Sequence, residues 1–99
     1  MNINEKITGL EGEDLGVTYK EVFVKLLCSP DNRLNAEGKR TCVRISRQIM
    51  SEQKLSDDLT DNEIEMIQSK FALITEPLIF VAIEEFFNAY LRFDPDCSE

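Results

Sequence analysis

Ninety-nine residues hold nineteen Asp and Glu against eleven Lys and Arg, a formal charge of −8, with 42% hydrophobic residues, six Phe and no histidine. A chain of that length makes one domain and buries roughly 60–70% of its unfolded surface. Its acidity excludes broad affinity for duplex nucleic acid or an anionic membrane, and no apolar stretch approaches the roughly 18 residues that span a bilayer.

Residues 1–17, beginning MNINEKITGLEGEDLG, read as a flexible lead-in punctuated by Gly9, Gly12 and Gly16. Ile3, Ile7 and Leu10 offer an alternative, a turn or two of helix against the body. The glycines do not make a phosphate loop, because Glu11, Glu13 and Asp14 among them repel phosphate. No basic start, apolar run or small-residue cleavage site marks a secretory signal, so a cytoplasmic protein is expected.

A helical domain is expected over residues 18–92. Thr18 and Glu21 form a capping box at the head of helix 18–28, whose Tyr19, Val22, Phe23, Leu26 and Leu27 share a face. SPDN then breaks the helix. Asn35 is a good N-cap for helix 36–51, in which Cys42, Ile45 and Ile49 cluster on one side and Arg40, Arg44 and Arg47 form a stripe roughly opposite. Residues 33–50 carry five basic residues against one acid, a local +4 that leaves −12 for the rest of the chain.

The acids Asp57, Asp58, Asp61 and Glu63 lack the ligand spacing and turn glycine of a calcium loop. Thr60 and Glu63 instead form a second capping box, opening helix 61–74 with Ile64, Ile67, Phe71 and Ile74 on one stripe. Pro77 suits the first turn of helix 76–92, in which LIFVAI runs on into EEFFNAYL and so exceeds strand length. Its apolar arc spans about 220°, against the ≳100° that a surface helix needs. Either the other helices wrap it or part of it pairs with another chain. Val22, Phe23, Leu26, Ile45, Ile49, Ile64, Ile67, Phe71, Ile79, Ile83, Phe86 and Phe87 are expected to form most of the core, while Phe86, Phe87, Tyr90, Leu91 and Phe93 are the expected self-association surface, and residues 93–99 read as a polar tail. The expected fold is all-α, a compact four-helix bundle around an apolar C-terminal helix.

Little in the chain equips it for chemistry. Without histidine there is no usual general base and no Ser-His or Cys-His pair. Glu84 and Glu85 are neighbours in a helix and point about 100° apart, so they do not share a site. Cys28, Cys42 and Cys97 form no CxxC pair. Cys28 and Cys42 are expected as buried apolar residues and Cys97 as an idle surface thiol in a reducing cytoplasm. No catalytic residue, cofactor or metal is predicted.

The candidate site is cationic: Arg33, Lys39, Arg40, Arg44 and Arg47. Three readings are open. The stripe is a solvated face pairing with the chain's own acids at 57–65, or it meets an acidic protein or subunit. Alternatively, its guanidinium forks hold a small phosphate-bearing ligand such as a nucleotide. Duplex nucleic acid is not expected, because so few contacts bind weakly and no aromatic residue interleaves to stack on bases.

Taken in order, VTYKEVFVKLL, EGKR, LTDNEIEMIQSKF and EPLIFVAIEEFF resemble a set of short phage-encoded helical proteins over residues 17–91. The resemblance implies a phage product acting in the cytoplasm of a bacterial host and carries over no site residues. With the residue pattern, it leads to the expectation of a non-enzymatic, self-associating interaction protein that binds and modulates or inhibits a host protein, in host takeover or anti-defence. The alternatives are sequestration of a small anion by the arginine stripe and a role as a virion-assembly component.

Overall fold

The local signals at the helix starts carry through to the backbone. The computed structural model describes residues 3–56 and 58–92, with Arg92 defined in its backbone alone. Among the described residues lie β1 (Lys6–Thr8), β2 (Asp14–Thr18), α1 (Tyr19–Leu27), α2 (Ala36–Glu52), α3 (Asp61–Lys70) and α4 (Pro77–Arg92). The protein is thus mostly helical, but it is not all-α, because an N-terminal hairpin stands where a flexible lead-in or short helix was expected.

That hairpin has a physical cause the glycines conceal. β1 and β2 are antiparallel, pairing Lys6 with Thr18 and Thr8 with Asp14, with an irregularity between these pairs. Gly16 sits inside it at φ +86, a left-handed conformation that absorbs the extra residues of β2. The connecting turn closes through Gly12 N–H to the Gly9 carbonyl (3.1 Å) and Gly9 N–H to the Glu13 carbonyl (2.8 Å). Ile7 is wholly buried and Ile3 nearly so, whereas Leu10 at the turn is 87% exposed.

The hairpin also completes α1. The first amides of a helix lack intrahelical partners. Here Tyr19 N–H donates to the Glu5 carbonyl (3.2 Å) and Lys20 N–H to the Ile3 carbonyl (2.8 Å). The predicted capping box supplies the next one, with Glu21 N–H donating to Thr18 Oγ1 (3.1 Å) and Thr18 N–H to Glu21 Oε1 (2.9 Å). Asn35 caps α2 by accepting from Gly38 N–H (2.8 Å), and Thr60 with Glu63 caps α3 reciprocally. α3 is shorter than expected: it ends at Lys70, Phe71–Leu73 tighten into a 3-10 turn, and Ile74 is extended ahead of α4.

The core gathers around Phe23 of α1. Its ring lies 6.3 Å from Phe71, 5.8 Å from Phe86 and 6.1 Å from Phe87, centroid to centroid, and Phe71 meets Phe87 edge-on at 5.6 Å. Such contacts contribute about 0.5–1.5 kcal/mol per pair beyond area burial. Ile45, Ile49, Ile67, Ile79 and Ile83 fill the surrounding layer, as expected, while the expected core residues Val22 and Ile64 are only partly covered. Tyr90 at the far end of α4 donates its hydroxyl to the Ser56 carbonyl, tying α4 to the α2–α3 connection. No helix among the described residues is long and apolar enough to cross a membrane.

Candidate functional site

The five cations singled out from sequence separate into two groups. Arg33 stands apart from the α2 stripe. Asp31 forms an Asx-turn, accepting Arg33 N–H at 3.0 Å, and the same turn brings the Arg33 guanidinium onto both carboxylate oxygens, each at 2.9 Å. Arg33 Nη2 also donates to the Ser69 carbonyl at the end of α3 (3.3 Å). The Nζ of wholly buried Lys70 lies 3.5 Å from Asp31 Oδ2, whose side chain is only 4% exposed. The Arg33 guanidinium, its backbone amide and, to a lesser degree, the Lys70 charge hold the Asp31 carboxyl well below the usual carboxylate range. This knot pins the α1–α2 loop onto α3, so Arg33 has a structural task and is not part of an open docking face.

Lys39, Arg40, Arg44 and Arg47 do share the outward face of α2. They surround the partly exposed Val43 in an open trough that continues to Gln48, Ser51 and Glu52. The helix places them there because Cys42, Ile45 and Ile49 occupy the opposite side, facing the core. Of the acids at 57–65, Glu63 alone among the described residues answers the stripe, through an ion pair with Arg44. Glu63 uses its other oxygen for the α3 capping box. Among the described residues Lys39, Arg40 and Arg47 have no ion-pair partner.

The expected self-association residues fare differently. Phe86 and Phe87 are buried within the subunit, so they cannot form an exposed surface, and Tyr90 is half-buried with its hydroxyl engaged. Leu91 is exposed, and Phe93 lies outside the described residues. The apolar flank of α4 that does reach solvent is Leu78 and Val81, 40% and 45% exposed, beside exposed Glu84 and Glu85. A wide apolar arc signals that some flank is left over. Which flank depends on where α1 and the 3-10 turn pack, and that is not a local property.

The cysteines also divide. Cys42 is buried against Met66 (Sγ to Sδ 3.8 Å), and burial pushes its thiol pKa up, making it a poor nucleophile at neutral pH. Cys28, expected to be buried, is exposed at the C-terminal cap of α1, with its Sγ 3.5 Å from Ser46 Oγ. Cys97 lies outside the described residues. Among the described residues no group of three His, Cys, Asp or Glu side chains is placed to hold a metal ion. No family model matches the chain, and neither curated proteins nor solved structures give a match.

Proposed function

We propose that the chain is a non-enzymatic, phage-type interaction protein that docks an acidic patch of a bacterial host protein on the outer face of α2 and so modulates or inhibits it. The observation that carries this reading is the trio Lys39, Arg40 and Arg47 around exposed Val43, without an ion-pair partner among the described residues, on a chain whose net charge is −8. A merely solvated stripe pairs with nearby acids, and among the described residues that pairing stops at Arg44 with Glu63. An apolar residue ringed by cations offers a protein partner both burial and a charge-defined orientation. The trough is open and lined by a single helix. Small-molecule sites are concave and enclose most of their ligand, so this shape favours a protein over a nucleotide-sized anion.

Immobilised wild type and an Arg40→Glu/Arg47→Glu variant, exposed to the same bacterial lysate at low and high salt, test the proposal. A protein retained by wild type should, once purified, bind the variant at least about tenfold more weakly, as expected when attraction becomes like-charge repulsion. Identical retention by both proteins would overturn it.

A further inference from the structure

The α2 face and the α4 flank carry the same spacing with opposite charge. On α2, Arg40, Val43 and Arg47 fall at i, i+3 and i+7, one side of a helix. On α4, Leu78, Val81 and Glu85 repeat that interval, with Glu84 next to them. The first face bears three cations, without an ion-pair partner among the described residues, around a partly exposed valine. The second bears two exposed carboxylates around a partly exposed leucine and valine. Residues 77–91 contain no Lys or Arg to soften the contrast.

Symmetry decides how two such faces can meet. An α2 face against a second α2 face sets arginine against arginine, and an α4 flank against another sets glutamate against glutamate; both oppose a two-fold contact built on one face alone. Only α2 against α4 brings opposite charges together and covers Val43 with Leu78 and Val81.

From this pairing we infer that the protein self-associates through a contact in which the α4 flank of one copy (Leu78, Val81, Glu84, Glu85) seats on the α2 trough of another (Lys39, Arg40, Val43, Arg47). The inference rests on α2 being a docking face and adds the identity of one occupant, a second copy of this chain. One helix face against another buries less than the roughly 1,200 Å² of a stable interface, so the contact is weak and transient. Between exposed charges it also weakens with salt. A host protein with an acidic patch competes for the same trough.

Sedimentation velocity from about 1 to about 100 µM at low salt, a range suited to a small interface, tests the contact with two variants. Wild type should show a rising weight-average mass that falls back at high salt. Arg40→Glu/Arg47→Glu and Glu84→Lys/Glu85→Lys should each remain monomeric, since each then opposes like charges. Their equimolar mixture should regain association, because the reversed α2 face of one meets the reversed α4 flank of the other. That recovery also shows that both variants are folded. A monomeric wild type at the top concentration, association that survives either reversal, or a mixture that stays monomeric would each overturn the inference. If wild type is monomeric yet a purified acidic host protein still binds in an Arg40-dependent way, the second copy is excluded while the α2 docking face stands.

Discussion

Arg33 and Arg40 belong to the same cationic segment and meet opposite fates. At the Asp31–Arg33–Lys70 knot, one carboxylate is enclosed by two cations and three N–H donors of Arg33. On the outer face of α2, Lys39, Arg40 and Arg47 surround an apolar residue and make no ion pair among the described residues. The first arrangement holds the fold together, and the second leaves interaction energy available to something outside it. Local charge density therefore does not distinguish the two roles; the presence of a geometrically fitted partner does. Arg44 stands on the border, joined to Glu63 yet about half exposed.

Substitutions in the interior and on the outer face should separate these regions by size of effect. The largest loss is expected at Phe23, which touches three other phenylalanine rings. Phe23→Ala should cost about 3–5 kcal/mol, read as a fall in urea midpoint. Next comes the knot, tested by pH. The native Asp31 pKa lies below its unfolded value, so the folded state binds fewer protons in acid. The stability it supplies is fully present above the unfolded pKa of about 3.9 and is lost as pH falls through the native value. Asp31→Asn should lower stability at pH 7 and flatten the acid limb below about pH 4. An unchanged acid limb in this variant would mean that the knot does not couple to folding.

The border between the two regions gives smaller numbers. Thr60→Ala removes one half of the α3 capping box and should cost about 1 kcal/mol. Arg44→Ala leaves that box intact and removes only an exposed ion pair, so the expected loss is under about 1 kcal/mol. If the two losses proved equal in chemical denaturation, Glu63 would be anchored as much by Arg44 as by the cap.

What could be foreseen from the residues follows the range of the interactions. The four helices were legible because Thr18, Asn35 and Thr60 cap amides within a turn of themselves and Pro77 fixes a helical φ at the start of α4. The hairpin was not: β1 has three residues, too few to reveal an alternation, and the glycines that suggest a linker serve as its turn and bulge. Ile3 and Ile7 also fit a helical spacing. Among the site residues, the outward stripe of Arg40, Arg44 and Arg47 followed from helical periodicity, whereas Arg33's capture by Asp31 depended on a turn geometry and on a lysine far along the chain. Phe86 and Phe87, expected both in the core and on the self-association surface, belong to the core for the same reason. A wheel gives the width of the apolar arc of α4, but the rings of Phe23 and Phe71 decide which part of it is covered.

The smallest effect is the most informative about function. Arg40 and Arg44 stand at i and i+4 on α2, where like charges destabilise a helix by about 0.2–0.5 kcal/mol. Arg40 also follows the first turn, where the helix dipole disfavours a cation. Arg40→Glu replaces that repulsion with an i, i+4 attraction, acid ahead of base, but turns the i, i+3 attraction between Glu37 and Arg40 into a repulsion of similar size. Thermal denaturation should therefore show the variant within a few tenths of a kcal/mol of wild type, while its binding through α2 falls. A residue that adds nothing to stability and raises binding is held in place by the partner rather than by the fold. If Arg40→Glu instead lost about 1 kcal/mol or more, beyond what a surface change away from such features gives, Arg40 would be part of the scaffold, and the contrast with Arg33 would disappear.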